Sequence, residues 1–222
     1  ALCTEIMLLN NKDWDKIKML ISMIYTESFF LNFQFKNIFA AAEIEAGELT
    51  LEIKDVEAVK FVDGVFTFFE TELSKRNISI IKERFEDFKF RTDPSKFNII
   101  LLNLIGNAVK FSHNNKPVTV NLYQHENKLV FSIKNEGIGI ADDDKKKIFN
   151  RFSRDGSKIG SIYRGNGLGL SIVSSLLELL NGSLSFESKI GQGTTFVISV
   201  PPAQVEGEFL DCTDFLVEDG LF

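Results

Sequence analysis

From Trp14 to Ala46 apolar residues recur at helical spacing: Trp14, Ile17, Leu20, Ile21 and Ile24 lead on to Leu31, Phe35, Ile38, Phe39 and Ala42. Asp13 stands where an N-cap belongs, after the polar turn Asn10-Asn11-Lys12, and Gly47 ends the run as a helix C-cap would. A lone amphipathic helix of this length cannot bury its stripe. It needs an antiparallel partner of similar length, or a bundle made by dimerisation. Residues 1–9 read as the end of such a partner, and matched lengths put about twenty more of its residues upstream. The expectation is a partial helical hairpin over residues 1–50, with a boundary near 47–55.

Composition excludes several classes. The chain of 222 residues is 44% hydrophobic and 25% charged, which argues against general disorder. No apolar run reaches the ~20 residues of a membrane-spanning helix, and the start has no signal-peptide pattern. Cys3 and Cys212 lack metal-ligand spacing and fit free thiols in a reducing compartment, which points to the cytoplasm. The net charge of −6 resides in residues 203–222, where six acids stand without a base; the rest of the chain is balanced. A nucleic-acid-binding domain would carry a basic patch, so that class is excluded.

Residues 51–202 mix both types of element. Leu49–Ile53 reads as a short strand, Val56–Lys75 as a helix, and Ile78–Phe85 with Lys89–Arg91 as a hairpin. Pro94–Phe111 reads as a helix opened by Asp93 or Pro94. Val118–Tyr123 and Leu129–Lys134 alternate as strands around a polar turn. Asp142–Phe152 reads as a short helix and Leu168–Leu180 as a longer one closed by Asn181-Gly182. Leu184–Glu187 and Thr194–Val200 form a last strand pair before Pro201-Pro202. Strands without regular β-α-β alternation predict an α+β fold: a helical hairpin fragment, then an α/β sandwich with helices on one face of a mixed sheet.

Three segments carry chemistry. Asn103, Asn107 and Lys110 fall at i, i+4 and i+7 of the 94–111 helix and share one face, where amides and an ammonium can hold a metal ion and phosphate oxygens. A solvated helix face is the plainer alternative. Asn135-Glu136-Gly137-Ile138-Gly139-Ile140 follows a strand, and its glycines let backbone approach a ligand; no third glycine makes it a Rossmann fingerprint. Gly165, Gly167 and Gly169 open a helix whose free N–H groups suit phosphate, without the Gly-Lys-Ser/Thr ending of a P-loop. The polar stretch 153–164 before it has the composition of a mobile lid.

In this order the segments resemble the ATP-binding domain of sensor histidine kinases, in the group that includes gyrase B, Hsp90 and MutL. Asn103 to Lys110 is similar to its asparagine motif, Asn135 to Ile140 to its first glycine motif, and Ile148 to Arg154 to its phenylalanine motif. Gly165 to Ile172 is similar to the second glycine motif, and Gly191 to Phe196 to the closing glycine-threonine segment that holds Thr194. Ala42 to Leu49 resembles the end of the kinase dimerisation hairpin. The resemblance covers about residues 1–202, and it implies a 51–202 catalytic domain using ATP and Mg²⁺.

By that resemblance Asn107 binds Mg²⁺ with Asn103 beside it, and Lys110 contacts phosphate; Lys110 and Asn103 are the residues implied in catalysis. Asn135 sits at the adenine amino group, Gly137 and Gly139 shape the pocket, and Ile138 and Ile140 line it. Phe149 and Phe152 anchor the lid, Arg151 or Arg154 reaches phosphate, and Gly165, Gly167, Leu168, Gly169 and Leu170 wrap the triphosphate. A response-regulator receiver domain is the implied recipient, and homodimerisation through the hairpin the implied assembly. No contact with nucleic acid or membrane is expected of residues 1–222.

Two departures qualify it. Asn135 replaces the usual Asp, and a neutral acceptor is worth roughly 1 kcal/mol less than a charged one, so nucleotide binding is expected to be weakened. The phospho-acceptor histidine is missing: His113 and His125 lie near turns, are expected to face solvent, and have the wrong context, which puts the acceptor upstream. An ATP hydrolase of the gyrase B or Hsp90 kind carries Glu at the position of Asn103, which cannot serve as base for water. The other alternative is a degenerate module that signals by contact or supports dephosphorylation. The acidic tail 203–222 contains Phe209, Leu210, Phe215 and Leu216, and reads either as a segment packing on the body or a neighbouring domain, or as a linker.

Overall fold

The computed structural model describes residues 14–47, 50–150 and 167–203. Helix α1 (Trp14–Ala46) runs as its periodicity requires and stops at Gly47, whose φ of +67° turns the chain and whose N–H reaches Ile44 O at 3.3 Å. Leu20, Phe33, Asn37 and Ala40 are buried along one line of it. Trp14, Tyr25, Leu31 and Phe39 remain more than half exposed, so much of the apolar surface has no cover among the described residues. The partner helix expected over residues 1–9 lies outside the described residues. No described helix is long and apolar enough to cross a membrane.

The remainder is α+β. Strand β1 (Lys54–Glu57) leads into α2 (Ala58–Thr67) and α3 (Glu70–Lys75), then β2 (Ile80–Phe85), β3 (Lys89–Thr92) and α4 (Pro94–Phe111). Strands β4 (Val118–His125) and β5 (Lys128–Asn135) come next, then α5 (Gly169–Leu179), β6 (Ser183–Lys189) and β7 (Gly193–Val200). The main sheet has the order β2-β4-β5-β7-β6; β2 runs parallel to β4, and the other pairs are antiparallel. Along β4 and β7 burial alternates with the pleat, so one face meets helices and the other faces outward. Val120, Leu122, Phe131, Ile133 and Ile198 of the sheet close on Ile100, Leu101, Leu104 and Ile105 of α4 and Ile172 and Leu176 of α5.

Four expected elements take a different form. The strand expected at Leu49–Ile53 begins later, at Lys54, where it pairs with β3 in a small separate ribbon. Consequently β2 and β3 are not a hairpin: β2 joins the main sheet beside β4 and β3 joins β1. The helix expected over Val56–Lys75 is split at Phe68-Phe69, where Phe69 N–H bonds Phe66 O at 2.9 Å. The break lets Phe66 and Phe69 both be buried, with the Phe69 ring against Gly106 of α4, where a Cβ would stand 3.4 Å away. Residues 142–149 are successive turns, not the start of a continuous helix. The tail beyond Ala203 lies outside the described residues.

Asp93 organises the entry to α4. It is 2% exposed; Oδ1 accepts from the Ser95 and Lys96 N–H groups at 2.8 and 2.9 Å, and Oδ2 accepts from Glu52 N–H at 2.8 Å. One carboxylate thus caps the helix and fastens the segment that precedes β1. Replacing it leaves three N–H groups without this partner. Asp93→Ala is expected to lower the unfolding free energy by about 2 kcal/mol, read from the midpoint of a urea titration at constant slope.

Candidate nucleotide-binding site

Helix α4 presents Asn103, Asn107 and Lys110 along one stripe, as the spacing requires, but their surroundings differ. Asn103 is 5% exposed, and its amide is fully engaged. Its Oδ1 accepts from Asn37 Nδ2 at 3.3 Å, and its Nδ2 donates to Asn37 Oδ1 at 3.0 Å and to Ile99 O at 2.8 Å. Asn37 belongs to α1 and is itself 4% exposed, so two buried amides satisfy each other across the junction of the two units. Asn107 and Lys110 are half-buried. The Lys110 ammonium lies 4.8 Å from the Phe111 ring centroid, and burial pushes its pKa below the ordinary lysine value of 10.5.

The C-terminus of α4 is held by a residue that sequence reading missed. Arg76, just past α3, donates through Nη1 to Val109 O and Lys110 O, through Nη2 to Ser112 O, and through Nε to Asn114 Oδ1. Its planar fork thus takes up carbonyls of the last turn that the helix itself leaves unpaired. The only advance signal was a cation near a predicted helix end, which is too common to single out.

Residues 135–140 form the next wall. His113 N–H bonds Glu136 O at 2.8 Å and Ile138 N–H bonds Phe111 O at 3.3 Å, which ties this loop to the end of α4. On its other side Gly191 N–H bonds Ile138 O at 2.8 Å. Gly139 has φ +69° and lies so close to Lys189 O that a Cβ would overlap it, so both conformation and space demand glycine. Ser188 Oγ accepts from Ile140 N–H at 2.8 Å, donates to Gly193 O at 3.0 Å, and lies 2.7 Å from Thr194 Oγ1. Thr194 is buried directly opposite Asn135 in the β5–β7 ladder. Ser188 and Asn37 are further residues without a sequence signal, since their partners are remote in the chain.

The second glycine segment is described from Gly167, which has φ +66°. Leu168, at the N-cap of α5, is buried, while Gly169 and Leu170 are half-buried. Among the described residues no side chain caps the helix, and the first-turn N–H groups of a helix suit anionic ligands. Gly169 abuts Asn103: a Cβ would stand 2.5 Å from Asn103 Oδ1. The start of α5 is therefore pressed against the amide stripe of α4. Phe149 meets Phe186 edge-on at 5.5 Å, and Phe186 stacks on Phe196 at 5.7 Å, which roots the segment before the expected lid in the sheet. Arg151, Phe152, Arg154 and Gly165 lie outside the described residues. His113 and His125 are exposed, as expected.

A half-buried ammonium and a helix start that meet the same face of α4 are each suited to anionic oxygens. Among the described residues no cluster of three or more His, Cys, Asp or Glu could form a protein-built metal cage. Mg²⁺ is commonly held by one or two protein oxygens plus substrate phosphates and water, and an amide oxygen such as that of Asn107 is a ligand of this kind. Residues 92–204 match the family described as Histidine kinase-, DNA gyrase B-, and HSP90-like ATPase. The chain belongs to this family.

Relatives of this ATPase-like chain include the circadian input-output histidine kinase CikA of Synechococcus elongatus, 28% identical over 74% of this chain and 22% of that protein. The sensor protein KdpD of Clostridium acetobutylicum is 30% identical over 82% of this chain and 20% of its own length. The chain thus spans about a fifth of these relatives. Among solved structures, full-length ShkA in complex with AMPPNP shares the fold, with a TM-score of 0.68 and 24% identity over 89% of this chain and 40% of that one. The family match and these named histidine kinases support an ATP-binding catalytic region of the histidine kinase kind, and the described fold agrees.

The depressed Lys110 pKa gives a pH signature. An anion favours the ammonium, which the free protein loses at a lower pH than an ordinary lysine does. Affinity for a triphosphate is therefore expected to fall as pH rises through that lowered value, and Lys110→Gln to remove this limb; titrations across alkaline pH measure both. Arg76→Ala strands carbonyls at the end of α4 and is expected to lower stability by about 2 kcal/mol, with faster amide exchange at residues 109–113.

Proposed function

We propose that this chain uses ATP to phosphorylate a histidine on a hairpin upstream of residues 1–222, for two-component signalling. The observation that carries this reading is the contact of Gly169 with Asn103, which brings the start of α5 onto the face of α4 that also carries Asn107 and Lys110. Bound Mg²⁺ would neutralise phosphate charge. Asn107 offers it an amide oxygen, Lys110 offers an ammonium to the phosphates, and the α5 N–H groups hold the non-reacting oxygens. Asn135, at the end of β5, meets the base, and Ile138 and Ile140 flank it. Positioning and charge neutralisation are what phosphoryl transfer asks of a protein, and these groups can supply both. A receiver domain takes the phosphoryl group next, in a cytoplasmic homodimer formed through the hairpin.

An ATPase that activates water is disfavoured, because Asn103 is an amide already bonded to Asn37 and Ile99. That same engagement favours a second reading, a module with weakened nucleotide use that signals by contact. Calorimetry with Mg-ATP, then incubation with labelled ATP and a supplied histidine-bearing hairpin, separates the two. The kinase reading expects measurable heat, acid-labile label on the hairpin and none on His113 or His125. Asn107→Ala is expected to weaken Mg-ATP binding about tenfold. Binding without transfer would favour the contact-signalling reading, and absence of binding at millimolar Mg-ATP would overturn the kinase reading.

A further inference from the structure

Among the described residues three buried side-chain polar atoms lack a hydrogen-bond partner: Thr92 Oγ1, Ser112 Oγ and Asn135 Nδ2. The amide nitrogen is the costliest of them, because it carries two hydrogens and can only donate. Asn135 is 3% exposed, and its Nδ2 lies against Gly137, where a Cβ would stand 2.6 Å from it. The hydroxyl directly across the ladder, on Thr194, is already bonded to Ser188. An asparagine oxygen in this position readily accepts from the backbone N–H two residues on, here that of Gly137, whereas an asparagine nitrogen cannot. Turning the amide half a revolution about χ2 exchanges two atoms of similar size. Oδ1 then faces the Gly137 turn, and Nδ2 takes the place of Oδ1, an atom that is not among the unpartnered buried ones.

We propose that Asn135 offers the nucleobase an amide donor, and that the site takes a 6-oxopurine triphosphate, such as GTP, at least as tightly as ATP. This rests on the proposed function, in which the base lies at Asn135. Adenine presents an amino group at C6, so it would face donor with donor. To accept from adenine the amide must turn back and leave Nδ2 buried without an acceptor. Guanine and hypoxanthine present a carbonyl at C6, which accepts from Nδ2 while Oδ1 keeps the turn. An aspartate at 135 has acceptors only, and would reverse the preference.

Calorimetric titration of the full 222-residue chain with non-hydrolysable analogues of ATP, GTP and ITP, each with Mg²⁺, tests this. The expected result is that the GTP and ITP analogues bind at least as tightly as the ATP analogue. Asn135→Asp should shift the ratio toward ATP by about tenfold or more. ITP shares the C6 carbonyl but lacks the 2-amino group, so its agreement with GTP assigns the effect to the C6 contact. A wild-type preference for the ATP analogue, or an unchanged ratio in a folded Asn135→Asp, would overturn this proposal and leave the nucleotide reading intact. Binding of none of the three would overturn both. Should Asn135→Asp fail to give a cooperative melt, the wild-type ratio alone decides.

Discussion

Four side chains of α4, Ile100, Leu101, Leu104 and Ile105, are fully buried between the sheet and the other helices. At roughly 1.5–3 kcal/mol each, their burial outweighs anything the polar stripe of the same helix could gain by rotating. The core therefore decides which way Asn107 and Lys110 face. Asp93 at the start and Arg76 at the end then hold the helix along its axis. Burial beside this core lowers the Lys110 pKa as a consequence of this placement.

The loop that carries Asn135 depends on α4 in turn. It is bonded to Phe111 and His113 on one side and to the β6–β7 hairpin on the other, with Ser188 joining Ile140 to Gly193. Segments separated in sequence by tens of residues become neighbours because each is fastened to the end of the same helix or to the strand beside it. The site is thus a junction of element ends, resting on a sheet that the chain closes late with β7.

Local patterns read well where the pattern itself determines the structure. The long helix α1, the Asp93–Pro94 start of α4, the β4–β5 pair and the Asn181-Gly182 stop of α5 all result from spacing, capping and turn chemistry. Pairing partners were not legible. Ile80–Phe85 and Lys89–Thr92 look like a hairpin, yet β2 finds its register on β4, 38 residues on, and β3 on β1, because the larger apolar surface wins over proximity. Of the site, the residue types in the three polar and glycine segments were visible. Asn37, Arg76 and Ser188 were not, since a side chain bonded to a distant carbonyl or amide leaves no periodic trace. The buried state of Asn103 was likewise hidden: its spacing put it on a polar stripe, and only the approach of α1 sealed it.

That last contact bears on how such a chain can diverge. Asn37 and Asn103 each give the other one hydrogen bond and receive one in a buried interface. A leucine at 103 would remove both bonds that the Asn37 amide makes across this contact, and a leucine at 37 would leave Asn103 Oδ1 without its donor while Nδ2 keeps Ile99 O. Substitution at these two sites is therefore coupled across 66 residues of chain: a change at Asn37 alters the surroundings of Asn103, and a change at Asn103 those of Asn37.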